Sequence, residues 1–399
     1  MKNNELNVIV VNDFNYIQGG ASKVAIDTAK LLYENNVNVT LFSATHKENN
    51  YNFKQVCTNQ KECLKDGLRG ALRGIYNFKV KKEFTKLLNS FDRKNTIIHV
   101  HGWTKSLSSV IFKVAARKKF KIVLTLHDYF TSCPNGGFYN YQKCEICHKN
   151  SLTLDCIKTN CDSRNYFVKV YRCIRQFVQK INMKDLKNYI YISDFSKNIL
   201  SKNLDGNFYK LYNPIPKEKK DIIDITKNDY YVFVGRIDKE KGVELFCEAM
   251  ERLNKKAKVI GDGTLRESLK DKFKNIDFVG WKNSEEVEEY MMGAKALVFP
   301  SRWYEGAPLT ILESLALGLP CVVSDKCAAI DFINDGNGMS FDGTVEDLIE
   351  KIKIYETKNL KKLSQSAYDN YWKDPFDINK YYKNLIKIYK KIVLENNYD

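Results

Sequence analysis

The chain has 399 residues, 44% of them apolar and 28% charged, which excludes a disordered or fibrous protein and favours two cores over one. No apolar run approaches the ~18 residues of a membrane span. The formal charge of +16 is concentrated: residues 1–210 hold 34 Lys/Arg against 16 Asp/Glu, and the remainder is near neutral. A basic half predicts an anionic partner, whether nucleic acid, an anionic membrane face or a phosphorylated substrate.

The opening residues read as a first β-strand at 7–11 rather than a signal peptide, because no small-residue cleavage site follows the apolar run. A cytoplasmic protein is therefore expected. Apolar runs at 37–42, 97–100 and 121–125 alternate with helical patterns at 21–33 and 106–116, the rhythm of a parallel sheet covered by helices. The rhythm restarts beyond Asn213-Pro214-Ile215-Pro216, which cannot continue a helix and reads as a linker. Strands are expected there at 230–234, 257–260, 276–279, 296–299 and 321–324.

Three units follow. Residues 1–212 form an N-terminal parallel-sheet α/β domain with a cysteine-bearing insert at about 131–165. Residues 213–375 form a C-terminal α/β domain of the same kind. Residues 376–399 form a last helix whose apolar spacing at 381–394 suits packing back onto the N-terminal domain.

The strongest chemical signal runs from Ser301 to Glu313 and contains Trp303-Tyr304-Glu305-Gly306-Ala307-Pro308-Leu309-Thr310. A strand, a Gly-Pro turn and a helix opening near Pro308 place a helix N-terminus at the carboxyl edge of a sheet, where its N–H groups suit a diphosphate. Glu305 lies in the loop and Glu313 inside the helix, so one can reach a sugar hydroxyl and the other a ribose diol. A second signal, Gly235-Arg236-Ile237-Asp238-Lys239-Glu240-Lys241-Gly242, follows a strand. There Arg236 and Lys241 can converge on a pyrophosphate between glycines that permit close backbone approach.

Gly261 and Gly280-Trp281 mark two more strand ends able to contact a nucleobase. Gly19-Gly20-Ala21 opens the first helix, and alone it is a tight turn. His127-Asp128 ends another strand. His127 reads equally well as a contact to a sugar or phosphate and as a turn histidine with a local partner.

Taken together, Gly-Gly-Ala, His127, Gly-Arg-x4-Lys-Gly and Glu-x7-Glu, in this order and each at a strand end, resemble the GT-B family of retaining glycosyltransferases with the Glu-x7-Glu signature, over most of the chain. The resemblance implies two Rossmann-like α/β domains facing a cleft, residues 1–212 on the acceptor side and residues 213–375 binding the nucleotide sugar, and transfer with retention, as in bacterial surface polysaccharide or lipopolysaccharide assembly. By it, Arg236 and Lys241 grip the diphosphate after Gly235, and Glu313 holds the ribose. Glu305 and the backbone of Gly306, Ala307, Pro308, Leu309 and Thr310 hold the donor sugar. Gly20 offers an amide to the phosphate, and His127 contacts the sugar from the opposite domain. Gly261 and Trp281 border the donor.

No Asp-x-Asp occurs in the sequence, so the usual acidic site for a diphosphate-bridging cation is missing and fixed cations are expected to stabilise the leaving group, with no cofactor required for transfer. Asp128 and Glu305 are the only candidates for a nucleophile, and front-face attack within an ion pair is preferred to a covalent intermediate.

Within the insert, Cys144-x2-Cys147 and Cys156-x4-Cys161, with Cys133 before them, suit four thiolates around a structural zinc ion; scattered buried thiols are the alternative. Leu64, Leu68, Leu72, Ile75 and Phe78 at near-helical spacing, beside Lys65, Arg69 and Arg73, read as a basic amphipathic helix. Residues 167–181, with Lys169, Arg172, Arg175 and Lys180, read as a second. Either suits an anionic bilayer or an ordinary solvated rim. The bilayer reading implies a peripheral protein at the inner membrane face and a lipid-linked saccharide acceptor.

A nucleotide-sugar epimerase on the same fold is the nearest alternative activity. A nucleic-acid-binding protein is disfavoured, because it would need neither carboxylate of Glu-x7-Glu and no RNA-binding signature is present.

Overall fold

The computed structural model describes residues 5–215 and 217–394; Pro216 of the linker motif and the ends of the first and last segments lie outside the described residues. The N-terminal half is a seven-stranded sheet in the order β3-β2-β1-β4-β5-β8-β9. Its strands are β1 (Asn7–Val11), β2 (Asn38–Ser43), β3 (Lys54–Cys57), β4 (Thr96–Val100), β5 (Lys121–Leu126), β8 (Asn188–Tyr191) and β9 (Asn207–Lys210), all paired in parallel. β6 (Tyr139–Asn140) and β7 (Glu145–Ile146) form a small antiparallel pair inside the cysteine-bearing insert. Helices α1 (Gly20–Glu34), α2 (Gly67–Ile75), α3 (Phe78–Leu88), α4 (Val110–Arg117), α5 (Leu154–Lys158), α6 (Tyr166–Asn182) and α7 (Asp194–Leu200) complete this half.

The second sheet has six parallel strands in the order β12-β11-β10-β13-β14-β15. They are β10 (Tyr230–Val234), β11 (Lys256–Ile260), β12 (Asp277–Gly280), β13 (Ala294–Phe299), β14 (Cys321–Ser324) and β15 (Gly338–Phe341). They are flanked by α8 (Val243–Arg252), α9 (Arg266–Lys272), α10 (Ser284–Met292), α11 (Leu309–Ala316), α12 (Val345–Thr357) and α13 (Leu360–Lys373). Both sheets are buried on two faces, which is why β1, β4 and β13 read as continuous apolar runs instead of alternating ones.

The last helix, α14 (Ile378–Leu394), lies against the N-terminal sheet. Tyr381, Leu385, Tyr389, Ile392 and Val393 share one core with Val8, Val10, Ile26 and Ile97. Two buried polar contacts fix its register: Thr28 Oγ1 to Tyr381 Oη at 2.8 Å, and His99 Nδ1 to Tyr389 Oη at 2.6 Å. The chain thus crosses between the domains twice.

The single basic helix expected from Leu64 to Phe78 is broken. A short 3-10 turn at Cys63–Lys65 precedes α2, and α2 ends at Ile75 because Asn77 turns out of helical geometry to cap α3, its side chain accepting from the Val80 N–H at 3.1 Å. Gly70 and Gly74 stay inside α2 for a packing reason. A Cβ at Gly74 would sit 2.0 Å from the Tyr171 hydroxyl on α6, so the glycine lets the two helices approach.

Candidate active site

The β-strands of the two sheets end at a common cleft, as carboxyl ends do in open α/β folds. A cavity of about 280 Å³ there is lined by Gly20 and Val24 of α1, by His127, Asp128 and Tyr129 after β5, and by Trp303, Tyr304, Glu305, Gly306, Ala307 and Leu309 before and within α11. Six of the residues singled out by sequence, Gly20, His127, Glu305, Gly306, Ala307 and Leu309, therefore meet across the cleft. Gly306 packs on the backbone of His127: a Cβ there would lie 3.4 Å from the His127 carbonyl oxygen. Pro308 is the N-cap of α11, so Leu309 and Thr310 open its first turn, where N–H groups lack intrahelical partners.

Glu305 joins this cavity to the Gly-Arg loop. Lys241 Nζ donates to Glu305 Oε1 at 2.5 Å, and Ser301 Oγ donates to Glu305 Oε2 at 3.2 Å. Lys241 also lies over the Trp303 ring, 5.7 Å from its centre. Arg236 is more open. Its guanidinium pairs with Asp238 and, at 2.9 Å, with Glu240, which buries its own side chain and orients the arginine. Both cations thus carry carboxylate partners.

The glycines do structural work at these strand ends. Gly235, Gly261 and Gly280 each have positive φ, and the Gly235 and Gly261 N–H groups donate to Ile260 and Gly280 carbonyls on the next strand. A Cβ at Gly261 would lie 1.9 Å from the Gly235 carbonyl oxygen, and one at Gly242 1.9 Å from that of Pro300. Trp281, just past this edge, is 74% exposed and does not line the cavity. Glu313 lies in the second turn of α11, outside the cavity lining. Burial raises its carboxyl above the usual range, with Lys217, Glu288 and Lys23 as the nearest charges.

On the N-terminal side, His127 Nε2 is 3.0 Å from His101 Nδ1, and the His101 ring lies tilted against that of His99 with their centres 4.0 Å apart. Burial pushes His127 down to about 4 and His99 to about 3, so both are neutral at pH 7. His127 therefore has a local partner, as the turn reading expects, and also faces the cavity. Burial pushes the Asp128 carboxyl up to about 6. Asp13, unnoticed in the sequence, is buried and accepts three backbone N–H bonds from Lys105, Ser106 and Leu107 at 2.7–3.0 Å, pinning the loop after β4 beside His101. The adjacent His99-Val100-His101-Gly102 at a strand end was the legible signal for this corner.

Tyr304 seals the cleft. Its ring sits 5.6 Å from Phe195, 6.0 Å from Tyr129 and 6.3 Å from Phe138, all from the opposite domain. Beyond it runs a wider groove of about 830 Å³, lined by Ile146 and His148 of the insert, Phe195 and Lys202 of the N-terminal domain, and Arg302 and Lys326 of the C-terminal domain.

The cysteines do not assemble as the zinc expectation requires. Among the described residues no group of three or more His, Cys, Asp or Glu side chains is placed to hold a metal ion. Cys156 and Cys161 instead face the buried ammonium of Lys169, whose Nζ is 3.4 Å from Cys156 Sγ. A hydrogen bond from Cys173, reinforced by Lys169, pulls the Cys156 thiol down to about 5 against its burial.

Two parallel-sheet domains facing each other across a cleft of strand carboxyl ends define the GT-B architecture. Residues 215–371 match the family described as Glycosyl transferases group 1. An uncharacterized 42.6 kDa protein in the cps region of Klebsiella pneumoniae is 25% identical over 259 residues, 61% of this chain and 60% of that protein. An Escherichia coli UDP-Gal:alpha-D-GlcNAc-diphosphoundecaprenol alpha-1,3-galactosyltransferase is 30% identical over 148 residues, 33% of this chain and 36% of that one. Among solved structures, Anabaena Alr3699/HepE in complex with UDP and glucose superposes with a TM-score of 0.63 at 15% identity, covering 97% of this chain and 100% of that one. Residues 215–371 thus belong to the Glycosyl transferases group 1 family, within a chain of GT-B fold.

Proposed function

We propose that the protein transfers a sugar from a nucleoside-diphosphate donor to an acceptor hydroxyl, with retention at the anomeric carbon and without a divalent cation in the transfer step. The observation that carries this reading is the Lys241–Glu305 ion pair at 2.5 Å, set beside the first turn of α11 and facing Gly20 and His127 across the cavity.

Donor binding exchanges partners. The diphosphate takes Lys241 and Arg236 from their carboxylates, and the freed Glu305 accepts hydrogen bonds from the donor sugar. The helix dipole and the two cations stabilise charge on the leaving phosphate as the bond from the anomeric carbon to its oxygen breaks. The acceptor oxygen attacks from the same face, and its proton passes to the departing phosphate oxygen. Neutral His127 offers a hydrogen bond without adding a charge. Glu313 and the exposed Trp281 edge take the ribose and base.

The acceptor proposed is a lipid-linked saccharide of surface polysaccharide assembly, met at the cytoplasmic face of a membrane. Support comes from the Klebsiella relative's place in a cps region and from the diphosphoundecaprenol acceptor in the Escherichia coli relative's name.

The test is product analysis: purified protein, donor and acceptor in EDTA, with the anomeric configuration of the product read by NMR. An α-donor giving an α-linked product supports the proposal. An inverted linkage, or activity that vanishes in EDTA and returns with magnesium, would overturn it. Epimerised nucleotide sugar formed without acceptor would establish the epimerase alternative instead.

A further inference from the structure

Helix α6 is built inside out. Its polar side chains face the protein: Lys169 is 1% exposed, and Arg175, Gln176, Gln179 and Asn182 are buried. Each of those four is spent on a loop that shapes the N-terminal wall of the cleft. Arg175 donates to the Thr104 carbonyl at 3.0 Å, Gln176 to that of Thr131 at 2.9 Å and Gln179 to that of Phe130 at 2.8 Å, while Asn182 donates to Ser109 Oγ at 3.0 Å.

The apolar side faces outward. Phe167 is 85% exposed, and Ile174, Phe177 and Ile181 are at least half exposed; at this spacing they form one stripe. On α2, packed against α6 through Gly74 and Tyr171, Leu68 is 79% exposed and Leu72 60%. A soluble surface helix shows the opposite arrangement, and two adjacent helices with large exposed apolar side chains mark an interaction surface.

We propose that this α2–α6 plate docks the protein on an anionic bilayer by inserting Leu68, Leu72, Phe167 and Phe177 among the lipid headgroups. The rim selects the occupant. Residues 163–184 hold six Lys/Arg and no Asp/Glu, and Lys65, Arg69 and Lys180 are exposed beside the apolar side chains. A second copy of the chain would bring like charges together, whereas an anionic leaflet complements them. This differs from adhesion by a basic helix face, because Lys169 and Arg175, which sequence assigns to that face, are buried. It also goes beyond sugar transfer: it sets the cleft, through the loops that α6 clamps, about one helix diameter from the membrane, ~10 Å.

The test uses the full chain and vesicles of phosphatidylcholine with or without phosphatidylglycerol. Wild type should co-sediment with the anionic vesicles, and Leu68→Asp/Phe167→Asp should lower the partition coefficient by at least about tenfold, given the apolar area withdrawn. Phe167→Trp should be quenched by brominated lipid. Unchanged melting and donor-induced stabilisation in the double variant would separate a docking defect from misfolding or a lost donor site. Equal binding of wild type and double variant, no quenching at position 167, or a soluble dimer that the double variant converts to monomer would each overturn the proposal.

Discussion

Lys241 and Glu305, 64 residues apart in sequence, form a 2.5 Å ion pair with both side chains mostly shielded from solvent. The pair ties the loop after β10 to the loop before α11, so the two strongest motifs of the sequence are one structural unit. On the proposed mechanism, Lys241 grips phosphate and Glu305 the sugar, so the donor has to part them.

Because Glu305 competes for Lys241, Glu305→Gln should bind UDP at least as tightly as wild type while transfer falls by roughly 10²–10³. Calorimetric titration with UDP beside initial rates checks this. A weakened UDP affinity in Glu305→Gln would show that the carboxylate organises the phosphate site rather than competing for it.

Gly261→Ala should cost about 2–4 kcal/mol, since its Cβ would meet the Gly235 carbonyl oxygen at 1.9 Å at a φ of +138°. Gly280→Ala, where only the flexible Arg266 guanidinium lies at 3.5 Å, should cost about 1–2 kcal/mol. Denaturant midpoints for the two variants give the comparison, and equal losses would contradict it.

Much of this site was legible because strand-end motifs report their own position. An apolar run followed by Gly-Arg or by Gly-Ala-Pro places its residues at a sheet's carboxyl edge, and Gly20, His127, Glu305 and Gly306 meet there. The strands β3, β8, β9 and β15 were not legible: β3, β9 and β15 lie at sheet edges, where Lys54 and Asn207 are exposed and no continuous apolar run is needed, and β8 is only the four residues Asn188-Tyr189-Ile190-Tyr191. The orientation of α6 was hidden for a different reason. Periodicity shows that a helix has two faces, and only the carbonyls of Thr104, Phe130 and Thr131 decide that the polar one turns inward. The cysteines misled because Lys169 lies in sequence beyond the thiols it neutralises.

Acid should destabilise the protein from about pH 6.5 downward. His99, His101 and His127 all have folded values below that of an unfolded histidine, ~6.5, so the unfolded chain binds more protons as pH falls through 6.5 toward 4. Asp128, raised to about 6, acts in the opposite sense over the same window, as do the carboxyls of Asp13, Glu313 and Asp331 that burial also raises, so the imidazole contribution is read against His127→Gln. Melting temperatures across pH 4–7 should fall with acidity, and less steeply in His127→Gln. A flat profile would contradict the buried neutral triad.

Tyr389→Phe removes the 2.6 Å partner of His99 Nδ1 and leaves that buried nitrogen unsatisfied, at a cost of about 1–3 kcal/mol. UDP affinity should not change, because α14 docks on the N-terminal sheet and the phosphate cations lie in the other domain. Chemical unfolding with parallel UDP titration tests both halves.

On the proposed function, Arg236 and Lys241 hold a nucleotide-sugar diphosphate without a metal ion. Thermal unfolding in EDTA with UDP-, GDP- and ADP-sugars, wild type beside Arg236→Ala/Lys241→Ala, tests it most directly. One donor should stabilise the wild type, by about 2.7 kcal/mol at a hundredfold excess over its dissociation constant, and leave the double variant unmoved. Equal stabilisation of both proteins, or none unless magnesium replaces EDTA, would contradict the claim.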